Sequence, residues 1–270
     1  MTGYAHPVGR DEQRSIVHAA TILRGTVGST VHGLHQEDQD DRDEMAIFVE
    51  PPDFALGLRL AKSGRRWRAF EHYVERTQPE GARSGPGDLD LVTYSLRKWL
   101  RLALAGNPTV LLLLFSPADS LTVLTARGAA LRDMSDAIVS GQAGPRYLGY
   151  LRTQKDRLLG IRGQKRVNRP ELIAAHGFDT KYAMHVVRLA YQGIELMTTG
   201  KLTLPMAEPA RSLIMSIRRG EWSESEVLAE ISQVELRLEQ AVSATSLPQT
   251  PDYDRVDRFI VESYREAWGW

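Results

Sequence analysis

The chain has 270 residues, enough to bury the core of one or two domains, and its 34 basic and 34 acidic residues leave no net charge at pH 7. It contains no cysteine, which excludes a disulfide framework and thiolate metal sites and suits a cytoplasmic protein. The longest apolar run, residues 110–115, is far shorter than the roughly 20 residues of a membrane span, and the first residues carry no signal-peptide pattern, so we expect no membrane association.

The predicted elements divide the chain into a mixed N-terminal part and a helical C-terminal part. A short helix is predicted over residues 11–20, strands of one sheet over 22–27 and 45–49, a further strand over 89–92, and a helix over 93–105. Beyond residue 117 the pattern is helical, with helices expected over 121–139, 146–159, 170–175, 180–198, 207–219, 224–243 and 252–267. We therefore predict one domain over residues 1–117 and a helical domain over residues 118–270.

A Gly-Ser turn follows the first predicted strand. Gly28 permits close backbone approach and unusual dihedral angles. The backbone N–H groups of such a turn, together with the Ser29 hydroxyl, can bind phosphate oxygens. Because Gly-Ser alone is a common dipeptide, this interpretation depends on the acidic residues that follow it.

Two carboxylates lead into the second predicted strand. Asp41 and Asp43 are two residues apart, and strand side chains alternate between faces, so both point the same way. Neighbouring carboxylates repel unless cations neutralise them, and Mg²⁺ prefers one or two carboxylates plus substrate phosphates. The pair therefore predicts a magnesium site, with manganese as the alternative ion. Two other interpretations stay open: a solvated acidic loop over residues 37–44, and a pair that begins at Asp40.

A third carboxylate accompanies the strand predicted over 89–92. Asp88 and Asp90 are two residues apart and share a strand face. Either could complete a metal site and accept the proton of an attacking hydroxyl. The alternative is an aspartate that caps a turn or the following helix.

A polar stripe runs along the helix predicted over 180–198. Lys181, His185 and Arg188 lie on one face, followed by Gln192 and Glu195, and the rest of this helix is apolar. The stripe therefore faces either solvent or a polar internal cleft. A cleft that holds a triphosphate would use Lys181 and Arg188, because a guanidinium can contact two phosphate oxygens, and His185 could hydrogen-bond a phosphate.

The zero net charge conceals a strong asymmetry along the chain. Residues 59–83 carry a balance of +4, residues 152–169 a balance of +6, and residues 221–270 a balance of −7. RNA bound to the two basic segments would explain this distribution. Pairing of the basic and acidic segments within the molecule would explain it equally well.

Several stretches together resemble a known family. Residues 28–34 leading to residues 41–45 resemble the signature of the DNA polymerase β superfamily of nucleotidyltransferases, and more narrowly the bacterial and phage nucleotidyltransferases that include the RNA-ligase-associated group. Residues 90–98, 102–108 and 176–185 match that narrower family in the expected order, so the resemblance covers roughly residues 20–200. It implies an α+β fold in which a small mixed sheet with helices on one side precedes a helical part.

The resemblance also implies a reaction and a set of site residues. It favours Asp90 over Asp88 as the third carboxylate, and it favours the cleft interpretation for Lys181 and His185. It implies transfer of a nucleoside monophosphate from a nucleoside triphosphate, such as ATP, to an acceptor hydroxyl with release of pyrophosphate, RNA being the favoured acceptor. A protein or small-molecule acceptor, and a non-catalytic nucleotide- or RNA-binding module on the same fold, are the alternatives. Neither the base nor the number of subunits follows from the sequence.

Overall fold

The computed structural model describes residues 8–34, 41–63, 66–79, 81–82, 84–161 and 169–270. These residues form two compact units, each built from more than one stretch of chain. The first unit comprises the residues up to Leu102, Leu112–Ile138 and Asp252–Trp270, and the second comprises Ala103–Leu111 and Val139–Pro251.

The described residues contain the following regular elements. The strands are β1 (Thr21–Thr26), β2 (Arg42–Phe48), β3 (Ala61–Ser63), β4 (Arg66–Arg68), β5 (His72–Arg76), β6 (Leu89–Ser95) and β7 (Leu121–Leu124). The helices are α1 (Arg10–Ala20), α2 (Gly28–Val31), α3 (Pro52–Ala55), α4 (Leu96–Leu104), α5 (Pro108–Phe115), α6 (Ala126–Asp133), α7 (Ser135–Ile138), α8 (Ala143–Leu158), α9 (Pro170–His176), α10 (Thr180–Thr199), α11 (Ala210–Arg218), α12 (Glu224–Ala244) and α13 (Tyr253–Trp268).

A mixed sheet forms the centre of the first unit. Its strand order is β5-β6-β2-β1-β7, in which β2 and β6 run parallel and the other neighbours run antiparallel. Strands β3 and β4 pair in a separate two-stranded sheet. The predicted α+β class with a small mixed sheet is confirmed.

Side-chain alternation orients the two parallel strands. In β6 the buried residues Leu89 and Leu91 alternate with the half-buried Asp90, so the aspartate lies on the opposite face from these leucines. At the end of β2, Phe48 packs against Phe70 with ring centroids 5.1 Å apart, in an apolar cluster that also contains Val17 of α1. This cluster anchors the end of β2, the strand that carries Asp43.

The prediction of a helix over residues 121–139 is wrong for its first turn. Residues 121–124 form β7, which pairs antiparallel with β1, and α6 begins only after Thr125, whose hydroxyl oxygen accepts a hydrogen bond from Gly128 N at 3.2 Å. A four-residue strand and a helical turn are hard to distinguish by apolar periodicity alone. Helix α4 likewise begins at Leu96 rather than at residue 93, because β6 continues to Ser95.

The compact units do not divide at residue 117. Strand β7 joins the sheet, and the C-terminal helix α13 also belongs to the first unit. There the Tyr264 hydroxyl donates to Glu50 Oε2 at 2.6 Å and the Trp268 indole donates to the Glu50 carbonyl at 3.0 Å. The helical unit is therefore an insertion between residues that complete the sheet unit.

The second unit is helical, as the sequence predicts. Helix α10 begins at its N-cap Asp179, whose side chain accepts from Tyr182 N, and ends at Gly200. Its buried face packs in the apolar core of this unit, which contains Ala183, Val186, Val187, Ala190, Tyr147, Ile231 and Leu238. Among the described helices none is by itself long and apolar enough to cross a membrane; α4 and α5 meet that test only together, across a sharp bend.

Candidate active site

Three carboxylates meet at the start of the parallel strand pair. Asp43 and Asp90 are partners in the register of β2 and β6, and Asp41 immediately precedes β2. One carboxylate oxygen from each residue lies within 4.8 Å of the other two, and all three residues are half-buried. Such a group of oxygen ligands can hold a divalent cation, because carboxylate oxygens are the ligands that hard cations prefer.

The neighbouring acid of β2 lies on the other strand face. Glu44 is 3% exposed and is paired with Arg24 Nε at 2.5 Å and with Arg42 Nε at 3.0 Å. Its charge is therefore neutralised by arginines of the protein, so Glu44 is not grouped with Asp41 and Asp43 as a candidate metal ligand. Asp40, the alternative partner of the pair, lies outside the described residues.

Gly28 lies against one of the three carboxylates. Its backbone φ is +70°, and a Cβ atom added to it would lie 2.1 Å from Asp43 Oδ2. Val27 N donates to the Asp43 carbonyl at 2.9 Å, which holds the two segments together. Strand β1 ends at Thr26, so Gly28 and Ser29 open the short helix α2 rather than ending the strand. A side chain at position 28 would displace the Asp43 carboxylate.

Asp90 is held by three donors. The Ser84 hydroxyl donates to Oδ2 at 2.8 Å, the Gln78 amide donates to Oδ1 at 3.4 Å, and Arg76 Nε pairs with Oδ1 at 2.6 Å. Arg76 is the exposed member of this set, whereas Gln78 is 9% exposed. The orientation of the Asp90 carboxylate is therefore determined by its neighbours.

Asp88 has a different environment from Asp90. Its carboxylate accepts from Gly85 N at 3.0 Å and from the Thr77 hydroxyl at 2.9 Å. These two hydrogen bonds, the backbone one first, hold the pKa of Asp88 below its ordinary value. Asp88 thus stabilises the turn before β6, as expected of a turn-capping aspartate, and the group of three carboxylates contains Asp90 instead.

In the second unit the polar stripe of α10 is withdrawn from solvent. Lys181, His185 and Arg188 are half-buried, and Gln192 is 3% exposed. Glu195 Oε1 accepts a hydrogen bond from Thr203 N at 2.9 Å, so Glu195 stabilises the segment that follows α10. The stripe is therefore only partly exposed to solvent.

His185 is the centre of a group of positive charges. Its Nδ1 atom is buried and has no hydrogen-bond partner among the described residues. Burial, and then the positive charges of Arg188, Lys181, Arg169 and Arg218, hold the pKa of His185 well below its ordinary value. The imidazole is therefore neutral at pH 7, with several cationic side chains near it.

Two of these cations were missed by the sequence analysis. Arg169 Nη1 contacts Asp179 Oδ2 at 3.3 Å, which places it beside the first turn of α10. Arg218, the last residue of α11, is 7% exposed, and its carbonyl accepts from the Thr180 hydroxyl at 3.1 Å. Arg169 belongs to a basic segment, but no sequence pattern distinguishes Arg218, since its position depends on the packing of α11 against α10.

Part of the charge asymmetry is resolved by pairing within the second unit. Arg152 contacts both Glu235 and Glu239 of the acidic segment, and Lys155 contacts Glu235 at 2.9 Å. These two bases of the segment 152–169 are therefore already paired. Residues 162–168 of the same segment lie outside the described residues.

Comparison with known proteins gives a family match over nearly the whole chain. Residues 8–262 match the model of a family described as the RNA repair pathway DNA polymerase beta family. No match was found among curated proteins. One solved structure, of a nucleotidyltransferase-like protein from Exiguobacterium sibiricum, is 14% identical over 95% of this chain and 80% of that chain, with a TM-score of 0.31. A TM-score this low gives no support for a shared arrangement.

Proposed function

Because the chain belongs to the RNA repair pathway DNA polymerase beta family, we propose that it transfers a nucleoside monophosphate from a nucleoside triphosphate to a hydroxyl group of RNA, with release of pyrophosphate. The observation that carries this proposal is the convergence of Asp41, Asp43 and Asp90 beside the Gly28 backbone. Family membership supports nucleotidyl transfer in general, and the metal, the nucleotide and the acceptor are parts of the proposal.

The three carboxylates fit divalent cations. They offer oxygen ligands within 4.8 Å of one another, and Mg²⁺, or Mn²⁺ in its place, accepts such ligands together with phosphate oxygens. Divalent ions held there would activate the attacking hydroxyl and stabilise the leaving pyrophosphate. Asp41, Asp43 and Asp90 are the residues that would hold them.

In the first unit, Gly28 and Ser29 bind the triphosphate and Asp90 accepts the proton. The backbone at Gly28 and the Ser29 hydroxyl hold the phosphate tail next to Asp43. The acceptor oxygen forms a bond to the α-phosphorus while the bond from that phosphorus to the bridging oxygen of pyrophosphate breaks. Asp90 accepts the hydroxyl proton, for which Arg76, the exposed donor on Oδ1, must move away.

In the second unit we assign phosphate binding to the group around His185. Lys181 and Arg188 supply positive charge, and the neutral imidazole of His185 supplies a hydrogen bond to a phosphate oxygen. Arg169 and Arg218 add charge at the start of α10 and the end of α11. The positive charge around the buried imidazole nitrogen, which Asp179 reduces by its contact with Arg169, favours an anion such as a nucleotide phosphate.

RNA is the acceptor that the family description favours, and the charge distribution is compatible with it. The description places the family in RNA repair, and the bases of residues 59–83 and 162–169 exceed the acids of these segments. Binding of RNA through such bases releases counterions, so the affinity should fall steeply with salt.

The first test is transfer of label from each of four α-³²P nucleoside triphosphates, with magnesium, into total RNA and total protein of the same extract. The proposal predicts label in RNA, and the most effective nucleotide identifies the base. Label in protein alone would replace RNA with a protein hydroxyl as the acceptor. Nucleotide binding without label in RNA or protein would favour a small-molecule acceptor or a non-catalytic binding module.

The second test removes the metal-binding carboxylates. The double variant Asp41→Asn/Asp43→Asn keeps the size and polarity of both side chains, so we expect the fold to persist and transfer to be lost. Transfer at the wild-type rate by this variant would refute the assigned role of the pair.

A further inference from the structure

The loop that connects β5 to β6 contains a tight turn. Residues 85–88 form a β-turn closed by Asp88 N donating to the Gly85 carbonyl at 3.0 Å. Pro86 occupies the second position and Gly87, with a φ of +83°, the third, which is the sequence pattern of a type II turn. The Asp88 carboxylate accepts hydrogen bonds from Gly85 N and from the Thr77 hydroxyl, which tie this turn to the residue that follows β5.

Within this loop a hydrogen-bond chain leads to the candidate metal site. Gln78 Nε2 lies 2.5 Å from Ser84 Oγ, and Ser84 Oγ lies 2.8 Å from Asp90 Oδ2. A carboxylate only accepts hydrogen bonds, so the single Ser84 proton must go to Asp90. Ser84 can then only accept from Gln78, which fixes the orientation of the Gln78 amide. Each link thus has one possible direction.

We propose that Ser84 and Gln78 are positioning residues, which hold the Asp90 carboxylate in the orientation that binds the divalent cation. The inference rests on the proposed function, because it assumes that Asp90 is a metal ligand. Neither residue belongs to the three carboxylates that would hold the metal; both would act through their hydrogen bonds to Asp90.

The contacts support a positioning role over a general structural one. Gln78 is 9% exposed and reaches both Ser84 and Asp90, so it spans the loop and the strand. Two donors on different carboxylate oxygens define the plane of the Asp90 carboxylate, which a single hydrogen bond would leave free to rotate. Partners of this kind, bonded to metal ligands, orient the ligands and set the affinity of the site.

Thr77 provides a matched control on the same loop. Its hydroxyl donates to Asp88 and accepts from Leu89 N at 2.9 Å, and neither of these hydrogen bonds involves Asp90. Ser84→Ala and Thr77→Val each remove one hydroxyl from this loop. A purely structural role of the loop predicts equal effects of the two substitutions, whereas positioning of Asp90 predicts that Ser84→Ala alone weakens the site.

The test is a titration of the full chain with Mn²⁺, in which the electron paramagnetic resonance signal of the free ion measures binding. We expect Ser84→Ala and Gln78→Met to weaken Mn²⁺ binding by about 10- to 100-fold, the usual effect of removing a partner of a metal ligand. Ser84→Thr retains the hydroxyl and should restore the affinity, and Thr77→Val should leave it unchanged. Urea unfolding of each variant verifies that it is folded.

Three results would overturn the inference. They are wild-type Mn²⁺ affinity in both Ser84→Ala and Gln78→Met, a loss in Thr77→Val as large as in Ser84→Ala, and no Mn²⁺ binding by the wild-type chain. The last result would also remove the proposed metal site. A chain that binds Mn²⁺ with the expected variant effects but transfers no label would refute the proposed reaction and leave this inference standing.

Discussion

Replacing Gly28 with alanine should disable the candidate active site while leaving the protein folded. The added methyl carbon would lie 2.1 Å from Asp43 Oδ2 and 2.8 Å from Asp43 Cβ. Relief of this overlap requires the carboxylate to move by about 1 Å or more before ordinary van der Waals separation is restored. Since a displacement of about 1 Å can reduce catalysis about 100-fold, we expect at least that loss in label transfer.

The same substitution has a separate cost in stability. Gly28 has a φ of +70°, a left-handed conformation that costs an alanine roughly 1–2 kcal/mol. Gly269 is a matched control, because its φ is +69° and an added Cβ would meet no heavy atom within 4 Å. Gly269→Ala should therefore share the conformational cost without affecting transfer.

The assay combines label transfer with urea unfolding of both variants. The expected result is a loss of free energy of unfolding in both and a loss of transfer in Gly28→Ala alone. Wild-type transfer by Gly28→Ala would refute the reasoning, because it would mean that the position of the Asp43 carboxylate does not matter. Equal loss of transfer in both variants would attribute the effect to backbone strain.

Four further predictions concern the metal, the acceptor, the second unit and the C-terminal helix. EDTA should abolish transfer, and added Mg²⁺ or Mn²⁺ should restore it. RNA binding measured at increasing salt should weaken steeply, and a flat dependence would exclude a polyanionic acceptor. Arg188→Ala should weaken binding of a fluorescent nucleoside triphosphate about 10- to 100-fold, as loss of a hydrogen bond to a charged group predicts, whereas Arg211→Ala, at an exposed pair with Glu208, should not. Burial raises the pKa of Glu50, so the folded chain holds this proton more tightly than the unfolded chain. The free energy of unfolding should therefore fall as the pH rises from the ordinary glutamate pKa through the raised value. Glu50→Gln should flatten this fall in urea unfolding, and an unchanged pH dependence would contradict the prediction.

The local part of the site could be derived from the sequence. Strand alternation predicted that Asp41 and Asp43 lie on one side of the strand, and the apolar run after them indicated a strand. The structure adds that Glu44 is buried on the other face. The choice between Asp88 and Asp90 also had a local signal. Gly85-Pro86-Gly87 is the pattern of a tight turn, for which Asp88 supplies the accepting carboxylate.

The long-range part could not be derived in this way. Strand β7 pairs with β1 across about a hundred residues of sequence, and nothing in the four residues of β7 specifies that partner. Arg218 approaches the start of α10 only because α11 packs there, as the hydrogen bond from Thr180 to its carbonyl shows. Such features depend on tertiary packing, which periodicity and composition do not encode.

The most direct test of the central claim compares Asp90→Asn with Asp88→Asn in transfer of α-³²P label to RNA. Both substitutions remove one negative charge from the same loop and strand start, but only Asp90 belongs to the group of three carboxylates. We expect that Asp90→Asn abolishes transfer and that Asp88→Asn, whose side-chain carbonyl still accepts from Gly85 N, retains it. Retained transfer in Asp90→Asn, or equal loss in both, would contradict the assignment of the active site.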